Sequence, residues 1–359
     1  MKVGKYNSCS QTVDTYLVPT PSKKHVSFAH SLLSTEHFII VWDCSVHFRT
    51  DALFYGGSFF KHDEKHSLKF GVIPKDATSR DEVIWIDSHE SGAIVHPLHA
   101  WEEVEEVYSR EDGTLISSRT IIKLWSPLSK DLELDLNKAN TFHMIEYSID
   151  MEAKSVTREV IDDTINSEFS VMPPRTKVKS SMVAAVPLSY ASRSLDVSNI
   201  DSDTDKDVTK IKYSTLAYED RFGFTAILGE QGHFVGYAKW DLVKRRLDCS
   251  VYYDKNEIGG EPTIVRGADN KLYIGCYVYN EQKAQSYFVL YNAETNEKVC
   301  RLQMPYRVPF GFHSQFISGE DLEKHFKYHE SKPPMAKEEI EEEIFRRLVQ
   351  QMKTMLSFP

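Results

Sequence analysis

Apolar and polar residues alternate in short runs along most of this chain. The runs are rich in Val, Ile, Tyr, Phe and Trp and are separated by turn residues, which is the pattern of strands in antiparallel sheets. Strands are predicted over His37 to Trp42, Val83 to Ile86, Ile116 to Leu124, Tyr273 to Tyr279 and Tyr287 to Tyr291. Three longer segments, beginning at Phe142, Phe234 and Tyr287, resemble one another. Each is a strand, a polar turn and a second strand. A hairpin repeated in this way is how a β-propeller blade appears in sequence, and a sandwich made of similar hairpins fits the same pattern.

Two segments break the β pattern. Residues 191–210 are polar, acidic and poor in apolar anchors, so a flexible surface insertion is expected there. After Ile317 the chain passes Pro333 and Pro334 into a stretch where Ile340, Ile344, Leu348, Met352 and Leu356 recur every four residues. That spacing predicts an amphipathic helix, acidic in its first turn and basic later, as the helix dipole favours. The expected division is a β domain over 1–318 and a helical tail over 319–359. Packing of the tail on protein is the simpler reading, with membrane-interface contact the alternative.

Composition narrows the possibilities. With 359 residues, 41% of them hydrophobic and 27% charged, the chain is long enough for one large all-β domain or two ordinary ones. A net charge of -10 offers no concentrated basic surface, so nucleic acid is excluded as an expected partner. Five cysteines, Cys9, Cys44, Cys249, Cys276 and Cys300, form no C-x-x-C pair, and their odd number suggests no disulfide framework. A reducing, cytoplasmic setting is expected. The sequence carries no run of roughly 20 apolar residues of the kind a membrane span needs.

Fourteen histidines are present, and a lone histidine is most often a surface or satisfied core residue. Three stand in distinctive contexts: His30 in VSFAHSLLSTEHFIIVW, His96 in SGAIVHPLHAWEE and His313 in MPYRVPFGFHSQFI. They are far apart, so a metal site built from them would have to be assembled by the fold, and spacing alone neither supports nor excludes it.

The segment Arg307-Val308-Pro309-Phe310-Gly311-Phe312-His313 resembles the closing signature of the carotenoid cleavage oxygenases. His96-Pro97-Leu98-His99-Ala100-Trp101-Glu102-Glu103 is similar to the same family's H-x-x-N-A-W/Y-E-E element, preceded as in the family by Lys69-Phe70-Gly71-Val72-Ile73-Pro74. His30-Ser31 with Thr35-Glu36 resembles its H-D/S-F-x-x-T-E-N element. Gly259-Gly260-Glu261-Pro262 resembles its G-G-E-P, and Ser167-Glu168-Phe169 followed by Pro174-Arg175 is a looser version of its E-F-P-R. These elements occur in family order across nearly the whole β region.

The resemblance implies an all-β, seven-bladed propeller whose axis carries Fe(II) held by four histidines, three of them fixed from outside by glutamates. Here His30, His96 and His313 would bind the iron, and Glu168 and Glu261 would hold the imidazoles. Neutral imidazoles suit Fe(II), and a carboxylate accepting the distal N–H sets tautomer and ring orientation. The implied substrates are a carotenoid or apocarotenoid and dioxygen, with cleavage of a conjugated double bond into two carbonyl products. Isomerisation is the family's minority chemistry. A hydrophobic substrate tunnel and peripheral contact with membranes are also implied.

The sequence departs from the family in several places. The family's first iron histidine lies well before the His30 element, and the only histidine here that precedes His30 is His25, in a context that matches nothing. The expectation is therefore a propeller lacking its N-terminal part, with about five blades, weak iron binding, and either an incomplete enzyme or a catalytically inactive binding or regulatory form. His37 and His99 stand where the family has Asn. His99 lies three residues from His96, and along a strand that spacing points to the opposite face.

Overall fold

In the computed structural model, residues 2–7, 12–22, 26–49, 52–55, 60–77, 82–132, 140–174, 208–230, 232–309 and 313–330 are described. The chain begins with a hairpin of β1 (Lys2–Asn7) and β2 (Thr12–Leu17), then β3 (Val26–Ser27), β4 (Leu33–Ser34), β5 (Phe38–Asp43) and β6 (Val46–Phe48). A short helix, α1 (Ala52–Tyr55), leads to β7 (Phe60–His62), β8 (Lys69–Pro74) and β9 (Ile84–Asp87). Four longer strands follow: β10 (His99–Ser109), β11 (Leu115–Leu128), β12 (His143–Asp150) and β13 (Ser155–Asp162). Next come β14 (Ser167–Val171), β15 (Val208–Ser214), β16 (Phe222–Leu228), β17 (Phe234–Asp241) and β18 (Arg246–Tyr252). The last strands are β19 (Glu257–Gly259), β20 (Thr263–Arg266), β21 (Leu272–Asn280), β22 (Gln285–Asn292) and β23 (Lys298–Gln303), before helix α2 (Gly319–Glu330). The five strands predicted from alternation coincide with β5, β9, β11, β21 and β22.

Antiparallel pairing arranges these strands into four sets of four: β4-β5-β8-β9, β10-β11-β12-β13, β14-β16-β17-β18 and β20-β21-β22-β23. The last two sets are joined into one nine-stranded sheet through β19, while β15 extends the second set along β10. A small sheet, β3-β6-β7, lies apart from the four sets. The fold is all-β among the described residues apart from short helical pieces, as expected.

The three predicted hairpins form, and they share one turn chemistry. Asp150 Oδ1 accepts the N–H groups of Glu152 and Ala153, Asp241 Oδ1 those of Val243 and Lys244, and Asn292 Oδ1 those of Glu294 and Thr295. Four residues after each acceptor the backbone turns left-handed, at Lys154 (φ 50°), Arg245 (φ 54°) and Asn296 (φ 62°). A short side chain that mimics a backbone acceptor, then one left-handed residue, reverses the chain between two strands.

Neighbouring sets bury their faces against each other. Ile40, Trp42, Phe70 and Val72 of the first set meet Ile122, Leu124 and Tyr147 of the second. Trp125 and Met144 of the second meet Ile227 and Trp240 of the third. Phe224 and Tyr237 of the third meet Ile274, Val278 and Tyr291 of the fourth. Trp42, Trp125 and Trp240 are fully buried. Each satisfies its indole N–H, on Ile94 O (3.1 Å), Glu146 Oε2 (2.8 Å) and Thr225 Oγ1 (2.8 Å) respectively.

One expectation needs correction. Residues 208–210, assigned to the polar insertion, open β15 and pair with β10. Backbone pairing on an exposed sheet edge tolerates polar side chains that alternation scores as loop. The rest of that insertion, and the helix expected over Ile340 to Leu356, lie outside the described residues. Contacts divide the chain into residues 1–314 and 315–359. In the second unit, α2 is capped by Ser318, whose Oγ accepts the Asp321 N–H (3.1 Å) and donates to the Asp321 carboxylate (2.7 Å). No described helix is long and apolar enough to cross a membrane.

Candidate metal centre

Three connections carry the three singled-out histidines. His30 follows β3, whose pairing with β6 continues into a bond from the Phe28 N–H to Val46 O (2.9 Å). His96 lies between a bridge joining Ala93 to Ser129 and the start of β10, where the Leu98 N–H reaches Trp125 O (2.8 Å). His313 follows β23 with a left-handed backbone (φ 61°). One nitrogen from each imidazole lies within 4.8 Å of the others. Ring centroids are 4.8 Å apart for His30 and His96, 5.0 Å for His96 and His313, and 5.8 Å for His30 and His313.

His96 is the most firmly held of the three. Its Nδ1 meets Glu168 Oε2 at 2.5 Å, and its backbone N–H donates to Glu168 Oε1 at 2.9 Å. With Nδ1 facing the carboxylate, the proton belongs there and the lone pair on Nε2. Nε2 is buried and has no hydrogen-bond partner. A buried, orphaned imidazole nitrogen beside two other imidazoles is the state that a metal ion would complete, so the residues fit a metal.

Glu168 reaches His96 because β14 bulges. Its register against β16 shifts between Glu168 and Val171, and Phe169 takes φ 57°. The Phe169 N–H also donates to Glu168 Oε2. The bulge re-aims two side chains together, as bulges beside sites commonly do. The Phe169 ring stacks on His96 (4.7 Å, 27°) and meets Phe234 edge-on (4.8 Å, 66°). The sequence motif singled out Glu168 and left Phe169 without a role.

His313 is held more loosely. Its Nδ1 lies 3.3 Å from Glu261 Oε2, within ion-pair reach but without hydrogen-bond geometry, and 54% of its side chain is exposed. The sequence motif around Glu261 is the more intact of the two, yet Glu168 makes the tighter grip. Among the described residues no carboxylate bonds to His30. Partial burial, and then the neighbouring His96 and His313, hold the His30 imidazole below its ordinary value, against a weaker opposing pull from Glu168. That favours the neutral, ligating form.

The family's model, described as retinal pigment epithelial membrane protein, matches residues 2–318. The chain belongs to this family. As a member it is 23% identical over 325 residues to the 9-cis-epoxycarotenoid dioxygenase NCED6 of Arabidopsis thaliana, an alignment covering 89% of this chain and 47% of that protein. It is 24% identical over 317 residues to the zeaxanthin 7,8(7',8')-cleavage dioxygenase of Crocus sativus, covering 85% and 72%. The chain spans about half the length of most curated relatives it matches. Among solved structures, the lignostilbene dioxygenase of Pseudomonas brassicacearum superposes with a TM-score of 0.57 at 13% identity, covering 86% of this chain and 58% of that one. The cobalt-substituted apocarotenoid oxygenase of Synechocystis gives 0.56 at 16%, covering 84% and 54%. These likenesses show the carotenoid oxygenase fold.

The family member's other motif histidines fall elsewhere. His99 stacks on Trp101 (6.2 Å, 26°), brings Nε2 to 3.5 Å from Asp220 and is not part of the three-histidine cluster. His37 Nδ1 bonds Glu102 Oε2 (2.7 Å), and Glu102 Oε1 also accepts the His37 N–H (2.8 Å) and the Thr35 hydroxyl. Glu102 is thus the clamp that ties β10 to the β4–β5 turn, a role the motif alone did not reveal. His25 lies outside the described residues. Beside His313 and Glu261 a pocket of about 170 Å³ is lined by Ile258, Tyr277, Val278, Tyr279, Val308 and Pro309, a largely apolar wall.

Proposed function

We propose that His30, His96 and His313 hold Fe(II) in an oxygenase that cleaves a conjugated double bond of a carotenoid or apocarotenoid. One dioxygen is consumed and each of its atoms ends in one of two carbonyl products. The observation that carries this reading is the convergence of three imidazoles from distant parts of the chain. It is strengthened by His96, whose free nitrogen is buried at the point of convergence. The names of the curated relatives, which are carotenoid cleavage dioxygenases, support the substrate class. The four stacked strand sets are read as blades of the family's seven-bladed propeller.

When bound, Fe(II) supplies the open coordination positions at which dioxygen can be activated. The chain's own residues prepare that site. Glu168 keeps the His96 proton on Nδ1, and Glu261 stands in the corresponding place behind His313. Phe169 covers one face of His96 and excludes water from it. The apolar pocket beside His313 suits part of a long isoprenoid substrate. Such a substrate partitions into lipid, so collection from a membrane surface belongs to the same reading.

Purified protein loaded with Fe(II) and incubated with carotenoids under labelled dioxygen tests the proposal. Two labelled carbonyl fragments are expected. His313→Ala should remove both the iron and the products, and His325→Ala, in α2, should retain both. Products undiminished by His313→Ala would overturn the assignment.

A further inference from the structure

A second cluster of metal-binding side chains lies outside the three-histidine centre. Asp43 ends β5, His47 lies in β6 and His66 precedes β8, and one donor atom from each falls within 4.8 Å of the others. The His47 and His66 rings meet edge to face at 4.5 Å. Asp43 is completely buried, and neither of its carboxylate oxygens has a hydrogen-bond partner. His66 Nε2 comes within 3.2 Å of Asp43 Oδ2 but not in hydrogen-bond geometry, and that nitrogen too is left unsatisfied. A buried carboxylate with both oxygens unbonded is costly unless a cation compensates it.

The cluster is also pre-built. Ser45, itself fully buried, donates its hydroxyl to the His66 carbonyl (2.6 Å), and its own carbonyl accepts the Asp63 N–H (2.8 Å). The Ser45 N–H donates to Gly92 O (3.0 Å), and the Gly92 N–H returns a bond to Ser45 Oγ (2.8 Å). The loop bearing His66 is thereby fastened to the β5–β6 turn before any ion arrives. Two imidazoles and one carboxylate form a donor set used for divalent transition ions, with ligand distances of about 2.1 Å. Drawing donors within 4.8 Å of one another onto one ion requires side-chain shifts of no more than about 1 Å.

We propose that Asp43, His47 and His66 bind a second divalent transition-metal ion, distinct from the one at His30, His96 and His313. The two imidazoles and the carboxylate leave one unit of positive charge on the complex, in place of a buried carboxylate that makes no hydrogen bond and has only His66 Nε2 beside it. The ion cross-links β5, β6 and the loop before β8. In the β3–β6 ladder His47 is the direct partner of Ser27, which lies three residues before His30 in sequence. The proposal does not depend on which metal the three-histidine centre takes.

The chelator-stripped protein titrated with Zn(II) against a chromophoric competitor tests it. Wild type should take up two tight equivalents, His66→Gln one, His313→Ala one, and the double variant none. A single equivalent in wild type that His66→Gln leaves intact would overturn the proposal and leave Asp43 and His66 as an ordinary ion pair. Should circular dichroism show His66→Gln unfolded, the near-isosteric Asp43→Asn takes its place in the titration. Independently, Zn(II) should raise the melting temperature of His313→Ala, whose second site is untouched. No rise there would also overturn the proposal. Loss of the three-histidine reading appears separately, as an unchanged count in His313→Ala.

Discussion

Glu168 holds His96 at two points, its Oε2 against the ring Nδ1 at 2.5 Å and its Oε1 on the backbone N–H at 2.9 Å. The contact spans 72 residues of sequence and joins the loop before β10 to the bulge in β14. Its consequence is that ring rotation and backbone displacement of His96 are suppressed together. Replacing Glu168 by Gln keeps the shape but weakens the acceptor that sets the tautomer. Fe(II) affinity is expected to fall about 10- to 100-fold while the fold survives. Metal titration beside a circular dichroism spectrum checks this, and unchanged affinity would remove Glu168 from the site.

Glu146 is a heavily shared carboxylate in the second strand set. Almost wholly buried, it accepts the Trp125 indole N–H (2.8 Å), Lys123 Nζ (3.1 Å), and Arg245 Nε (3.0 Å) and Nη2 (2.8 Å). Glu146→Ala leaves the buried Trp125 indole N–H without its acceptor and removes one partner each from Lys123, which keeps Ser148, and from Arg245, which keeps Glu159. A loss of about 1–3 kcal/mol is expected, the cost of a buried donor left unsatisfied, because both cations retain other partners. Urea unfolding gives the measurement, and a loss below about 1 kcal/mol, the range of exposed pairs, would contradict the burial assigned to it.

The pair of His37 and Glu102 predicts a pH dependence with a definite sign. The hydrogen bond that the His37 ring donates to Glu102 raises the His37 imidazole above its ordinary value. Burial pushes Glu102 upward, but bonds from the Thr35 hydroxyl and from the His37 ring and backbone outweigh it and leave Glu102 lowered. The contribution from His37 is present in full below the ordinary imidazole value and is lost as pH rises through the raised one. The contribution from Glu102 is present above the ordinary carboxyl value and is lost as pH falls through the lowered one. With 64% of the His37 side chain exposed, solvent screening keeps the stability effect small. The direct readout is therefore an NMR titration of His37, whose midpoint should drop in Glu102→Gln. An equal midpoint in both proteins would break the assignment.

The hairpin turn between β12 and β13 offers a stabilising change. Lys154 is exposed and sits at φ 50°, where a side chain crowds its own backbone. Lys154→Gly should relieve that strain, offset in part by the greater freedom of glycine in the unfolded chain. A net gain of about 0.5–1 kcal/mol is expected from thermal or urea unfolding. Destabilisation would mean that the Lys154 side chain contributes packing there.

Much of the architecture is written locally. A period of two in apolar residues places β5, β9, β11, β21 and β22, and an Asp or Asn four residues before a left-handed position makes the same turn three times. Alternation along a strand is expected to face His99 away from His96. His96, however, lies in the loop before β10 and only His99 is in the strand, so the loop and the contacts of His99 with Trp101 and Asp220 set them apart. Residues 208–210 were misread because edge pairing is a backbone property that side-chain alternation does not encode.

By itself, then, the sequence determined the all-β class, the hairpins and, through its motifs, the three histidines and two glutamates. What only the tertiary structure decided is which of these groups meet, and how tightly. His30, His96 and His313 come together, and Glu168 grips harder than Glu261, because of long-range strand register and one bulge. Glu102, Phe169 and the Asp43, His47 and His66 cluster acquired their roles in the same way. Side-chain alternation reports which face a residue occupies, whereas contact between distant residues depends on how the sheets stack, and stacking is set by the whole chain at once.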